Sequence, residues 1–331
     1  MAALDNQFPT LLDVTNAMDP DGSISMVAEI LNETNEVLDD MVWIEGNLAT
    51  GHVTTARGGI PMPTWRKLYG GVKGNKSTRV RVTDTCGMLE TYAKIDKALA
   101  DLNGNAAAFR ASEDRSFIEG MSQTMADTIF TGDTGLHPER FLGLNARFNS
   151  LSAENRDNIV VGGGSGTDNA SIWLVGWGPN TVHGIYPKGS KAGLQVRDLG
   201  EDTAAADDGS GEYQIYRTHY KWDCGMSVRD WRYLVRIPNI DRSALTFNAA
   251  TGANLPNLMF EATERVPSLQ GVKFAFYMDR TIRTKLRQQV ASAVTSSTLT
   301  TDMVGGKRIM AFDEIPVRRT DALFGDEALV S

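Results

Sequence analysis

The sequence predicts a mixed α+β fold with long β excursions, and three features of its 331 residues carry that prediction. Glycine-rich breaks alternate with short β-type runs over residues 46–83. The stretch 105–131 keeps helical spacing of its apolar residues. Beyond a second glycine-rich segment at 162–166, runs rich in β-branched and aromatic residues recur. Charge is arranged in blocks. Residues 1–45 hold ten acids, among them Glu29, Glu33, Glu36, Asp39 and Asp40, and no Lys or Arg. Residues 46–83 hold Arg57, Arg66, Lys67, Lys73, Lys76, Arg79 and Arg81, and no Asp or Glu. A lone globular domain usually intersperses its signs. Adjacent blocks of opposite sign predict that one segment lies on the other, either within a subunit or, where the segments project, between copies of the chain.

The elements follow in order. Residues 1–20 read as extended, broken at Pro9 and Pro20. Asp21 or Ser23 caps a helix whose Ile24, Val27, Leu31, Thr34 and Leu38 form one narrow apolar stripe. In 46–83, His52–Thr55 and Thr78–Thr83 are strands, with Val80 and Val82 on one face and Arg79, Arg81 and Thr83 on the other. This is a long two-stranded excursion with little core of its own, and an isolated ribbon is marginal in water. It therefore needs another surface. The 105–131 helix presents Ile118, Met121, Met125 and Ile129 to a core and stops at Gly132. Its polar first turns fit a long element buried over part of its length. Ile172–Trp177, Tyr213–Tyr220 and Trp231–Ile237 are strands, with Trp173 and Trp177 sharing a buried face, and 200–212 is an exposed loop. Residues 256–265 are helical, with Pro256 in the permitted first turn. Lys273–Tyr277 is a strand. Asp279 then caps a basic helix that buries Ile282, Leu286 and Val290. A last strand runs through Ile309–Val317, interrupted at Pro316.

Composition narrows the class. Hydrophobic content of 41% and charged content of 22% are those of an ordinary globular chain large enough for two or three domains. No apolar run approaches the ~20 residues of a membrane span, and the N-terminus lacks the pattern of a signal peptide. Cys86 and Cys224, far apart and outside any CxxC pair, read as free thiols in a reducing compartment. A net charge of −8 argues against whole-surface affinity for nucleic acid and leaves only the 57–81 block for that purpose.

Motifs that carry chemistry are missing. GGVKGNKS (70–77) resembles a P-loop, but Asn75 stands where the motif needs Gly, and a strand follows where a helix must open to present its amides. GGGSG (162–166) lacks the spaced third glycine of a dinucleotide turn. Ser165 and Ser190 lack the second glycine of a nucleophile elbow. His52, His137, His183 and His219 have no neighbouring ligand at metal spacing. Asp207 and Asp208 read as a solvated loop before a weak Ca²⁺ site. The residues predict no catalytic, cofactor or metal site.

Specific stretches carry a resemblance. ILNETNEVLDDMVWIEGN (30–47), PTWRKL (63–68), VTDTCGMLETYAKIDKALADLNGN (82–105) and FRASEDRSFIEGMSQTMADTIFTGD (109–133) come first. SIWLVGWGPNTVHGIYPKGSKAGL (171–194), THYKWDCGMSVRDWRYLVRIPNID (218–241), FAFYMDRTIRTKL (274–286) and FDEIPVRRTDAL (312–323) follow. In this number and order, the chain resembles the major capsid proteins of tailed bacteriophages, the group with the Hong Kong 97-type fold.

The resemblance implies an N-terminal arm and helix at 1–45 and an extended β-hairpin loop at 46–84 that reaches over a neighbour. It further implies a peripheral domain with a spine helix at 85–155, and an axial domain with returning peripheral strands at 156–331. It implies self-assembly as pentamers and hexamers into an icosahedral head shell around double-stranded DNA, in the virion and, during assembly, the host cytoplasm. A portal and a decoration protein are implied partners, and no membrane is. Some members carry a long cleaved N-terminal scaffold. Here the arm helix starts by about residue 24, so a separate scaffolding protein or a scaffold-free route is expected. Lysines Lys67, Lys73 and Lys76 leave isopeptide crosslinking open without a matched partner. An encapsulin-like compartment and a soluble enzyme acting on an anion are the alternatives. The expected inter-subunit contact sets Arg57, Trp65, Arg66, Lys67, Lys73, Lys76, Arg79 and Arg81 of the loop against Glu29, Glu33, Glu36, Asp39 and Asp40 of the arm.

Overall fold

The computed structural model describes residues 35–101, 106–206, 211–248, 252–292, 299–304, 307–323 and 325–331. In chain order the elements are α1 (Val37–Asp40), β1 (Trp43–Glu45), β2 (Gly51–Gly59), β3 (Thr78–Asp96), α2 (Lys97–Asp101), α3 (Ala106–Thr131) and α4 (Leu144–Arg147). There follow β4 (Asn169–Trp177), β5 (Val182–Tyr186), β6 (Gln195–Ala205), β7 (Glu212–Val228), β8 (Leu234–Asp241) and α5 (Leu255–Glu264). The chain closes with β9 (Lys273–Met278), α6 (Arg280–Ser292), β10 (Leu299–Val304), β11 (Lys307–Phe312) and β12 (Ile315–Arg319). The described chain forms two compact units, each made of discontinuous segments. The boundary expected at 155/156 falls inside one of them.

The larger unit holds Thr34–Gly87, Ala126–Ala192 and Cys224–Ser331. Its centre is β4, buried at every residue and flanked by antiparallel β8 and β9. Burial on both faces explains the near-continuous apolar run Ile172–Val175. The sheet continues from β9 to parallel β12 and then to antiparallel β11 and β10. Leu255, Met259 and Ala262 of α5 and Ile282 and Leu286 of α6 share one apolar cluster with Phe276 and Phe312. Arg236 of β8 is buried yet fully engaged. It donates to Phe148 O at 2.7 Å, Ser171 Oγ at 3.1 Å and Glu327 at 2.7 Å, and it lies over the Trp173 ring. Asn239 exchanges hydrogen bonds of 2.9 and 3.0 Å with the Val330 backbone. These contacts fasten the C-terminal residues to the central sheet.

The described part of the smaller unit comprises segments of Met88–Met125 and Gly193–Asp223. Here β6 and β7 form a long antiparallel ribbon. Phe117 of α3 stacks on Tyr220 with ring centroids 6.0 Å apart, and Arg110 bonds Asp198 at 2.7 Å while lying over Tyr216. Tyr92 of β3 stacks on His219 at 4.4 Å, and Arg217 packs against the same tyrosine. Phe109 joins Ile95 and Ala100 in a small core. Aromatic and guanidinium packing adds to this small core among the described residues.

Several expectations need correction. The 24–38 helix falls largely outside the described residues, and its described end is not helical throughout. Asn35 makes a β-bridge with Thr320, and α1 begins at Val37. Backbone groups of Asn35 that pair with a strand cannot serve a helix at the same position. Ile118 is 37% exposed, whereas Met121, Met125 and Ile129 are buried. Residues 200–205, read as loop, belong to β6, because pairing with β7 supplies order that an acidic sequence does not signal. Ile309–Val317 is a hairpin. The break lies at Asp313 and Glu314, both at positive φ, and Pro316 sits inside β12. Trp231 opens a 3-10 turn and β8 starts at Leu234. Among the described residues no helix is long and apolar enough to cross a membrane.

Arg236→Ala is expected to leave Glu327 with no counter-charge in a largely buried site. That should cost about 3–5 kcal/mol, read from urea denaturation of the unassembled chain.

Candidate inter-subunit surface

The hairpin β2–β3 pairs from Gly51 with Thr85 to Gly59 with Thr78. Beyond it, residues 60–76 are exposed throughout. A turn closes at Lys67–Gly70, where Gly70 N donates to Lys67 O at 3.0 Å and Tyr69 takes a positive φ. Asn75 Nδ2 donates to Met62 O across the segment. Trp65 and Tyr69 are fully exposed, and Ile60, Met62 and Leu68 nearly so. A soluble chain gains nothing by presenting such side chains to water, and contiguous apolar patches of this kind mark contact surfaces. Arg66, Lys67, Lys73, Lys76, Arg79 and Arg81 are exposed beside them, and none makes an ion pair among the described residues. Arg57 faces Arg79 in the β2–β3 register. The alternation expected on β3 holds only in part: Val82 is half-buried, whereas Val80 is 52% exposed. The GGVKGNKS segment lies in the exposed loop and runs into β3 where a P-loop would open a helix.

The base of the hairpin is built very differently. Asp84 is buried and accepts from Arg147 Nη2 at 2.8 Å and from Ser227 Oγ at 2.8 Å. Arg147 also reaches the carbonyls of Leu142 and Met226. Backbones crowd this point. A Cβ on Gly51 would meet Asp84 O at 2.1 Å, and one on Gly225 would meet Thr85 O at 2.7 Å, so only glycine allows both approaches. Asn47 adds reciprocal 2.8 Å bonds to the Val53 backbone. His52 and His183, which sequence spacing leaves unrelated, meet edge-on with centroids 5.8 Å apart. Burial, followed by the nearby His52 and Arg229, pushes the His183 pKa from 6.5 down to about 4.

The acidic half of the expected contact is altered. Asp40 is buried within its own subunit. Tyr277 Oη donates to it at 2.9 Å, Arg318 makes two bonds of 3.0 Å, and Trp177 Nε1 completes the chain by donating to Tyr277 Oη. Burial and the Asp40 carboxylate hold the Tyr277 phenol well above its ordinary pKa. Glu36 bonds the same Arg318 at 3.2 Å. Asp40 is thus held inside the subunit, whereas the Glu36 side chain is 30% exposed. The reason is visible in the spacing: Asp40 lies three residues after buried Val37 and next to buried Met41, on the inward side of α1. Asp39 is exposed. Glu29 and Glu33 lie outside the described residues. Asp84 went unread in the sequence, although it interrupts the Val80–Val82 stripe at the next inward position. Its partners Arg147 and Ser227 carry no local signal at all.

Among the described residues no cluster of His, Cys, Asp and Glu is arranged to hold a metal ion. His219 bonds Glu90 at 3.2 Å under Tyr92, and exposed His137 pairs with Glu139 at 3.3 Å. Cys86 and Cys224 are not joined in a disulfide.

The mixed helix-and-sheet fold is that of the Hong Kong 97-type capsid proteins, the structural subunits of icosahedral phage heads. The chain belongs to the major capsid protein GP7 family, whose model matches residues 19–331. It is 38% identical to a chain of the near-atomic cryo-EM structure of bacteriophage epsilon15, covering 100% of this chain and 99% of that one, with a TM-score of 0.78. The capsid of bacteriophage JBD30 aligns at 10% identity over 90% of this chain and 93% of that one, with a TM-score of 0.49. The SrpI encapsulin complex of Synechococcus elongatus aligns at 10% identity over 70% of this chain and 95% of that one, with a TM-score of 0.44. No curated protein sequence matches. The chain is thus a structural capsid component of the virion.

Two outcomes follow from this geometry. Trypsin should cut the unassembled chain first at Arg66, Lys67, Lys73 and Lys76, and the same bonds should resist cleavage in shells. The His183 sign is the reverse of a salt-bridged histidine. The unfolded ring binds a proton below 6.5 and the folded one only near 4. Stability is therefore whole above 6.5 and lost as pH falls toward 4. A loss of about 3 kcal/mol is expected across that window, read from urea midpoints, and His183→Gln should flatten it.

Proposed function

We propose that the 60–81 loop of one subunit clasps the next and that this contact closes the shell. The carrying observation is the full exposure of Trp65 and Tyr69 among unpaired loop cations, at the end of a hairpin whose base is clamped. Met62, Trp65, Leu68 and Tyr69 supply apolar anchors, each worth about 1.5–3 kcal/mol on burial. Arg57, Arg66, Lys67, Lys73, Lys76, Arg79 and Arg81 supply register. An exposed ion pair contributes only ~0–1 kcal/mol, but repetition at every subunit multiplies small terms. The receiving acids belong to the acidic block of the neighbour. Asp39, Glu29 and Glu33 are assigned that role, with the partly exposed Glu36 beside them, since Asp40 is buried against Arg318 and Tyr277.

In this reading residues 1–45 act as arm, 46–84 as loop, and the remainder as peripheral and axial domains, with 193–223 returning to the segment that begins at 88. Subunits group as pentamers and hexamers around double-stranded DNA, which the net charge of −8 does not grip tightly. Assembly takes place in the host cytoplasm with a separate scaffolding protein and a portal, and a decoration protein binds the finished shell. The role is structural, without catalysis.

Arg79→Glu combined with Arg81→Glu should abolish closed shells in negative-stain electron microscopy and leave small oligomers on size exclusion at low and high salt. Reversal of Glu29, Glu33 and Asp39 as well should restore part of the yield. Unchanged shells from the loop variant would remove the electrostatic clasp from the mechanism.

A further inference from the structure

Where α3 ends, the larger unit holds an open cleft of about 430 Å³. Its walls come from the turn after α3, from α4 and from the C-terminal residues. Backbone bonds hold these walls together. Gly143 N donates to Gly132 O at 2.7 Å, Leu151 N to Ser331 O at 3.2 Å and Glu327 N to Asn169 O at 3.0 Å. A surface fixed in this way loses little freedom when something binds to it.

The lining has two characters. Leu136 and Leu329 offer exposed apolar surface. The polar groups left open are acceptors. Asp133 and Asp326 make no ion pair among the described residues, and Asp133 accepts only from Gly135 N there, at 2.8 Å. Asn145 Oδ1 is buried and accepts no hydrogen bond among the described residues. Arg236 also lines the cleft, but its donors are spent on Glu327, Ser171 and Phe148 O. A buried acceptor without a donor is costly. Apolar walls with surplus acceptors call for an occupant that is apolar and rich in donors.

The tip of the 60–76 loop has that chemistry. The side chains of Trp65, Arg66 and Lys67 carry donors and no acceptors, and all three are exposed. Trp65 is wholly exposed on its own subunit, so a tip that fills the cleft comes from a second copy.

We propose that this cleft receives the Trp65–Lys67 tip of a neighbouring subunit. The indole packs on Leu136 and Leu329 and brings a donor to Asn145 Oδ1, while Arg66 and Lys67 meet Asp133 and Asp326. The proposal rests on the loop clasp and names the surface that the tip grips. Arg79 and Arg81, farther along β3, are left to the acidic block.

The test uses full chains assembled into shells. Chains carrying Asp326→Cys, co-assembled with chains carrying Arg66→Cys and treated with diamide, should give a disulfide-linked dimer that neither variant gives alone. Asp133→Lys with Asp326→Lys should raise the concentration for half-maximal assembly about tenfold, and adding Arg66→Glu with Lys67→Glu should lower it again. Asp326→Lys alone, at an exposed position where folding is not at stake, should act in the same direction by less. Shells that carry both cysteines and form no dimer would overturn the proposal. Normal assembly of the Asp133 and Asp326 variants, with shells abolished by Trp65→Ala, would overturn the cleft and leave the clasp standing. Normal assembly of Trp65→Ala would overturn both.

Discussion

Asp84 is the point on which the hairpin depends. A carboxylate withdrawn from water is costly unless it is paired and hydrogen-bonded, and here Arg147 and Ser227 supply both. The residues concerned come from β3, α4 and β7, so a single buried charge ties three separate stretches of chain together. Gly51 and Gly225 let the neighbouring backbones close on the same point. An isolated two-stranded ribbon is marginal in water. One whose root is clamped in this way can carry a long exposed loop without that loop contributing to the core.

Clamped root and exposed tip divide the work of a shell subunit. Residues 60–76 are exposed throughout and contribute nothing to the core, which leaves their Trp, Tyr, Met and Leu side chains available for the proposed clasp. The root answers to folding. Association that buries such anchors gains most when their geometry is held beforehand, because less freedom is lost on binding. The same logic runs through the larger unit, where Arg236 and Asn239 bind the C-terminal residues by buried hydrogen bonds and free no polar group to water.

The opposite charge blocks of the first 83 residues carry a lesson about reading charge. Blocks predict that acid meets base, and they are silent on which base. Asp40 and Glu36 meet Arg318, some 280 residues away in sequence, and the basic loop meets neither among the described residues. Charge patterning reports net sign along a segment, whereas burial decides which members of the segment remain available.

What the sequence determined by itself is local and periodic. The long helix, the apolar run Ile172–Trp177 of β4, the capped basic helix after Asp279 and the glycine-broken excursion all follow from spacing, turn residues and propensity, which act over a few neighbours. The number and order of its characteristic segments were enough to indicate the capsid family. Tertiary structure alone decided the pairings: Asp84 with Arg147, Asp40 with Tyr277 and Arg318, and β6 with β7 along an acidic stretch that spacing reads as loop. It also decided that Ile118 faces outward and that the Ile309–Val317 run folds back at Asp313 and Glu314. The physical reason is the same in each case. Partners far apart in the chain leave no periodic trace, and a charged side chain reveals its role only when the fold has set how much water reaches it.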